Sequence, residues 1–470
     1  MEVLRLIRSW RNTLAPINKI PPEILTLIPD FWDKDDYDTE GQVIALTHVC
    51  QTWREMFTSR SSLWTYLDCQ YADKTRAYLE RSKSSPIDVY IERDGCLFPG
   101  DPFLEIDPPA IHRLKAMAIY GTAELFHDIT TKLSHPAPLL KDLSIYGGRE
   151  LEHSPMITTP LFNGGLPSLR KLDLHCVRTN LPWRNAINLT SFALVRTQSK
   201  ISIKQLLDFF EGAPHLREVE LRSVLLTPTD QNGRLVSLTC LKSLTICWDR
   251  PISLLIGHLS IPVGADLTTE LESYPRIEDH LPRSLDNLGN LSNFTKLRVC
   301  LRMRHSYIEF TGPNGEVRIA SFDYGINTGS SMLASLAGFD TSTTEHLEIS
   351  YGDANSEDLR QALLPMKNLY TLTVPLPVGV RSLARALDPG TDLSNVLICP
   401  KLEEFAVHVG KDGFDIESVV GMAAARASRG AKLKSIRIVN REAITWMDAS
   451  ELGKHVAHVE YDHEGVDEEG

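Results

Sequence analysis

A spaced apolar unit, Leu-x-x-apolar-x-apolar, recurs along most of this chain and restricts its possible folds more than any other feature. It occurs at Leu114/Met117/Ile119, Leu140/Leu143/Ile145, Leu169/Leu172/Leu174, Leu189/Phe192/Leu194, Leu216/Val219/Leu221 and Leu241/Leu244/Ile246, then at Leu369/Leu372/Val374, Leu402/Phe405/Val407 and Leu433/Ile436/Ile438. Successive starts in the first run lie 26, 29, 20, 27 and 25 residues apart. The last two apolar positions differ by two, so they share one face of a short strand, and the leading Leu sits at the bend into it. Nine occurrences make coincidence in a leucine-rich chain a poor explanation.

Between these units lie helix-like stretches. Ser202 and Gln205 stand at capping-box spacing ahead of Leu206, Leu207 and Phe210. The segment from Glu417 to Arg429 is rich in Ala, Met and Val, and Gly430 stands where a helix closes. A helix and a strand every 25 to 33 residues predict an α/β solenoid in which each unit buries its apolar edge against its neighbours. The period resembles that of leucine-rich repeats. The Asn or Cys of that pattern, eight residues after the first Leu, is mostly replaced, with Val177, Val224 and Asp249 in its place. An irregular leucine-rich-repeat-like array over residues 67–462 is therefore expected.

The pattern falters between about residues 250 and 345. There Leu297, Val299 and Leu301 alternate as a strand, and Ile308/Phe310 and Val317/Ile319 flank Pro313-Asn314-Gly315. This predicts a hairpin near 306–322, expected to project from the array. Positions between the buried strand residues are expected to line an open face: Lys171, Asp173 and His175; Glu218, Glu220 and Arg222; Glu404 and His408; Ser435 and Arg437. Mixed charge on such a face suits a protein or peptide target.

The amino-terminal end reads differently. Pro21 and Pro22 suit the first turn of a helix. Ile24, Leu25, Leu27 and Ile28 give that helix an apolar face, and Glu23 complements its dipole. After the acidic run from Asp33, a second helix is predicted over about 42–57 from Val43, Leu46, Val49, Cys50 and Trp53. Leu63 and Trp64 add two large apolar groups. So short a segment leaves much of its apolar surface uncovered.

In this order, Ile20-Pro21, Glu23-Ile24-Leu25, Val49-Cys50-x-x-Trp53-Arg54 and Leu63-Trp64 resemble the F-box, the three-helix adaptor-binding module of cullin-RING ubiquitin ligases. The resemblance covers about residues 16–66. It departs from the pattern in having Ile20 where Leu is usual and in a longer acidic stretch from Asp33 to Glu40. It implies that Ile20, Pro21, Glu23, Ile24, Val49, Trp53, Leu63 and Trp64 dock on a Skp-type adaptor and, through it, a cullin-RING ligase. It implies a cytoplasmic or nuclear protein.

Other classes find little support. The formal charge of −12, from 49 basic against 61 acidic residues, argues against a broad nucleic-acid surface. The eight cysteines include no C-x-x-C pair and read as free thiols in a reducing compartment. Asn188, Asn290 and Asn293 fit the glycosylation pattern and are read as incidental. The best apolar run, Ile252 to Val263, is too short to span a bilayer. No phosphate-binding, dinucleotide, zinc-protease or nucleophile-elbow motif occurs. His455, His458 and His463 form a poor metal frame beside the acidic tail of 463–470, and no cofactor is implied. Within residues 1–15, Val3, Leu4, Leu6, Ile7 and Trp10 alternate with Arg5, Arg8 and Arg11. This segment is read as a helix packing on the module, the alternative being a basic targeting helix.

The leading expectation is a non-catalytic substrate receptor of a Skp-cullin-F-box type ligase, with an unknown protein target on the repeats. A second is an interaction scaffold whose amino-terminal helices only cap the array. A third, an α/β enzyme, has no motif behind it.

Overall fold

The computed structural model describes residues 14–31, 39–93, 108–123, 133–148, 155–157, 161–179, 187–229, 233–248, 250–272, 276–301, 306–322, 328–336, 339–351, 355–375, 379–391, 396–408, 415–439 and 446–462, with isolated positions elsewhere. The fold is mixed α/β, and its strand pairing is dominated by parallel ladders. All nine Leu-x-x-apolar-x-apolar units form strands. Every apolar side chain in them is at most 4% exposed. The chain divides into two compact units, residues 1–200 and 201–470.

In the first unit, short helices α1 (Pro22–Leu25), α2 (Thr39–His48) and α3 (Gln51–Ser59) are followed by a 3-10 turn at Ser61–Trp64 and helix α4 (Ala72–Ser82). Six strands then pair in parallel in chain order: β1 (Tyr66–Asp68), β2 (Ile87–Arg93), β3 (Leu114–Gly121), β4 (Asp142–Gly147), β5 (Lys171–His175) and β6 (Ser191–Val195). Register keeps equivalent side chains in line, with Met117 opposite Leu143, Leu143 opposite Leu172 and Leu172 opposite Phe192. A one-residue slip would turn each set to the other face.

After β5 and β6 the chain turns through a residue of positive φ, Cys176 at 52° and Arg196 at 51°. Val177, at the position of the missing Asn or Cys, is fully buried, so an apolar side chain completes the interior there. At the equivalent place one unit later, the Thr197 hydroxyl donates to the Val177 carbonyl at 2.7 Å. That bond satisfies a buried backbone acceptor that would otherwise be costly.

The second unit opens with helix α5 (Ile203–Glu211), capped by a reciprocal Ser202–Gln205 box. Its strands are β7 (Glu218–Arg222), β8 (Ser243–Trp248), β9 (Asp266–Glu272), β10 (Lys296–Leu301), β11 (Ser306–Gly312), β12 (Gly315–Phe322), β13 (His346–Tyr351), β14 (Thr371–Val374), β15 (Glu404–His408), β16 (Ser435–Val439) and β17 (His458–Asp462). Helices α6 (Thr328–Leu336), α7 (Ser356–Leu363), α8 (Val380–Leu387), α9 (Ile416–Ser428) and α10 (Trp446–His455) pack each on the next. Leu359, Leu383, Met422 and Leu452 are among the side chains they bury. Gly430, at φ 79°, follows the end of α9.

The hairpin expected to project from the array instead lies within the sheet. Strand β12 pairs in parallel with β9 and antiparallel with β11; β11 pairs antiparallel with β10, and β10 pairs in parallel with β13. Two reversals restore the original direction, so the parallel stack continues across the insertion. Leu267, Val317, Phe310, Leu297 and Leu347 fall in one register row, and all are buried. The hairpin is held because Ile308, Phe310, Val317 and Ile319 supply the same buried face as the units around them.

Candidate functional site

Two surfaces qualify, the amino-terminal helices and the open faces of the strands. The helical module is built on Leu25, Trp53 and Phe57, with Ile20, Ile28, Leu46, Cys50, Met56 and Leu63 packed against them. The Trp53 ring meets Phe57 edge-on at 5.5 Å. Its indole N–H donates to Asn18 Oδ1 at 2.7 Å. Trp64 is fully buried and donates to the Phe57 carbonyl at 3.0 Å. Tyr78 of α4 meets it edge-on at 4.9 Å, and the Arg81 guanidinium lies 4.3 Å from the ring centroid.

Both indoles are therefore interior groups, and this corrects their expected role as contacts offered to an adaptor. Each ring has most of its apolar area covered and its one donor satisfied inside the chain, so it holds the module together. Ile20 and Leu63 are half-buried on the same core. The accessible members of the expected set are Pro21, Glu23, Ile24 and Val49, with Ile24 55% and Val49 53% exposed. Ile17, Leu27, Phe31 and Ile44 are also exposed, Phe31 to 86%. The helical pattern pointed to a face for Leu27, but Phe31 and Ile44 went unread.

The local geometry explains which side chains stay outside. Helix α1 is a single turn, with Pro22 at its start and Leu25 as its buried residue. A continuous helix over 42–57 is expected from the periodicity, yet the chain breaks between α2 and α3, where Cys50 is extended at φ −160° and ψ 176°. Arg54 Nε donates to the Thr47 carbonyl at 3.0 Å, occupying one of the acceptors at the end of α2. Val49 lies in that break and points outward. In residues 1–15, the described apolar positions Val3, Ile7, Trp10 and Leu14 are exposed, while Leu4 and Leu6 of the expected stripe lie outside the described residues.

The open face of the first unit carries a row of aromatic rings that the sequence reading missed. Tyr120 and Tyr146 stack at 4.2 Å with planes 3° apart, and Tyr146 stacks on His175 at 4.5 Å. Tyr90 lies 5.2 Å from Tyr120. The signal was present, since Tyr120, Tyr146 and His175 each follow the third apolar position of successive units. Burial, then the neighbouring Tyr146, pushes the Tyr120 phenol up to about 12. Burial and the bond to Glu92 raise Tyr90 as well. The Tyr90 and Tyr120 phenols therefore stay neutral hydrogen-bonding groups at physiological pH. Beside them Lys115 meets Asp88 at 3.4 Å and Lys171 meets Asp173 at 3.0 Å. Asp173, expected on the open face, is largely covered by Lys171 and by Ser144, which donates to it at 3.3 Å.

In the second unit, Arg222 pairs with Glu220 and reaches Glu270 at 3.8 Å. Arg298 reaches Glu348 at 3.1 Å and Glu309 at 3.5 Å. Glu404 accepts from Thr371 at 3.2 Å. Among the described residues no three His, Cys, Asp or Glu side chains converge as a metal site, and no helix is long and apolar enough to cross a membrane. The seven described cysteines are free thiols. Asn290 is buried and donates to the Ala265 carbonyl at 3.0 Å, so its side chain is committed to the interior. His463 and the acidic tail lie outside the described residues. No family model matches this chain, and no curated protein matches it.

Proposed function

We propose that this chain is a non-catalytic substrate-recognition subunit of a Skp-cullin-F-box type ubiquitin ligase, acting in the cytoplasm or nucleus. Residues 16–66 are the F-box-like adaptor-docking module, and the strand array is an irregular leucine-rich-repeat-like solenoid that holds a protein target. The observation that carries the reading is the division within the module. Leu25, Trp53 and Phe57 close its core, while Ile24 and Val49 stay more than half exposed. Exposed aliphatic groups beside Pro21 and Glu23 form the kind of apolar surface that a partner covers. Target recognition falls to the open faces, where aromatic rings and paired charges alternate. Holding a target beside the ligase raises the rate of ubiquitin transfer by proximity.

The test is Ile24→Asp combined with Val49→Asp in the full chain, with binding to a purified Skp-type adaptor measured by calorimetry. A loss of roughly 2 kcal/mol or more is expected, the scale of an interface hot spot. Affinity unchanged by the double substitution, with the fold intact by near-ultraviolet circular dichroism, overturns the reading.

One observation favours a second reading, in which the helices only cap the array. Trp64 is sealed beneath α4, and the Ser61 and Ser85 hydroxyls meet at 2.8 Å. These contacts close the first unit over β1 without any partner. On that reading the wild-type chain is monomeric and shows no affinity for the adaptor.

A further inference from the structure

A cavity of about 340 Å³ opens in the second unit at the carboxyl ends of β7, β8, β9 and β12. Clefts beyond the carboxyl ends of parallel strands are the usual place for ligands in α/β sheets, and this volume is that of a small-molecule site. Its walls are Leu225, Trp248 and Phe322, and its polar groups are Ser223, Cys247, Glu270 and Glu272.

Two carboxylates thus face an aromatic and aliphatic wall, and none of the described lining residues is basic. The nearby Arg222 is committed first to Glu220 and touches Glu270 only at 3.8 Å. The Cys247 thiol donates to Glu270 at 3.1 Å. Burial, reinforced by that bond, pushes this thiol up to about 12, so it serves as a neutral donor and not as a nucleophile. Ser223 holds a positive φ of 50° at the rim, a conformation that costs stability in a non-glycine residue. Trp248 is 6% exposed, and its indole N–H is buried without a hydrogen-bond partner. Unpaired buried donors are uncommon in optimised interiors. The unpaired donor marks a place where stability has been given up, whereas the positive φ at Ser223 is the same turn that follows β5 and β6.

We propose that this cavity binds a small organic cation, an ammonium or guanidinium group carried on an apolar stem, with the charge at Glu270 and Glu272 and the stem against Trp248, Leu225 and Phe322. An ammonium beside an indole gains from the ring quadrupole as well as from the carboxylates. The same chemistry arrives either as a free amine or as a basic side chain of a bound polypeptide. This assignment stands apart from adaptor docking, because it uses no residue of the helical module.

The test is calorimetric and ligand-observed NMR titration of the full chain with benzylamine, with neutral benzyl alcohol, and with a blocked Ala-Arg-Ala peptide. Saturable binding of a cationic probe is expected, with benzyl alcohol about tenfold weaker or worse. Glu272→Gln, at an exposed position, is expected to weaken the cationic probe about tenfold while leaving the thermal midpoint unchanged. Tighter binding of benzylamine assigns a free amine, and tighter binding of the peptide assigns a basic side chain. Equal binding of the amine and the alcohol, no saturable binding of either cation, or indifference to Glu272→Gln overturns the proposal. None of these results depends on whether Ile24 and Val49 bind an adaptor.

Discussion

Arg426 shows what a single side chain does in this fold. It projects from α9 and is fully buried, with Nη1 and Nη2 donating to the Ile398 and Cys399 carbonyls, each at 2.8 Å. Its Nε is buried without a partner, and desolvation lowers the guanidinium's pKa. The charge is held by backbone dipoles that fix the turn before β15, where Cys399 takes a positive φ of 48°. Replacing Arg426 with Ala removes both donors and leaves a cavity, so a loss of about 3 kcal/mol or more is expected in urea unfolding. Arg426→Met restores volume but not the donors, and is expected to fall between Ala and wild type. A loss below about 0.5 kcal/mol for Ala, the range of ordinary surface changes, would show that the turn does not need this side chain.

Elements are set by their ends as much as by their faces. The Asp415 side chain caps α9 by accepting from the Ser418 N–H at 3.2 Å and lies 2.6 Å from Arg381. Burial pushes this carboxyl upward, but the Ser418 bonds and Arg381 outweigh it and hold the pKa below the usual value. A carboxylate whose folded pKa is depressed stabilises above its unfolded value, near 4 for Asp, and loses that contribution as pH falls through the folded value. The stability difference between wild type and Asp415→Asn is therefore expected to be largest near neutral pH and to shrink progressively below about pH 4. Thermal melts across that range check the sign. At the hairpin, Gly315 has φ 126°, and a β-carbon built there would lie 2.7 Å from the Ala265 carbonyl oxygen. Gly315→Ala is expected to cost more than about 1 kcal/mol through backbone strain, with further loss from the clash. Chemical denaturation of that variant reads the effect.

The same elements show what the sequence could reveal. Nine strands were legible because three apolar residues at fixed spacing are what a strand entered from a bend must bury. The stretch between 250 and 345 was obscure because polar groups fill interior positions there. Thr269 is fully buried in β9, with its hydroxyl 2.9 Å from His280 Nδ1, and Thr344 is buried just before β13. A polar residue at an interior position looks like a gap in an apolar pattern. The hairpin turn was legible from Pro313-Asn314-Gly315, but its place between β9 and β10 is a tertiary choice that local spacing does not encode. The candidate docking residues were legible as a set, whereas their division into Trp53 and Trp64 inside and Ile24 and Val49 outside depends on α4 and on the break at Cys50.

That division decides how the whole molecule can be probed. Deleting residues 1–66 removes the proposed docking surface, but it also removes Trp64 from beneath α4 and takes Tyr66 from β1. It further removes the Thr65 carbonyl that accepts from the Asp88 N–H at 2.9 Å. Loss of a buried tryptophan alone costs about 3–5 kcal/mol, so the truncated chain is expected to unfold at lower denaturant than the full chain. Ile24→Asp with Val49→Asp touches only exposed positions and is expected to keep the unfolding free energy within about 0.5 kcal/mol of wild type. Denaturant unfolding of the two side by side separates lost docking from lost folding. If the truncation leaves stability unchanged, Trp64 contributes nothing to the core of the first unit. The helices would then be a detachable module, and the capping reading would lose the contact it rests on.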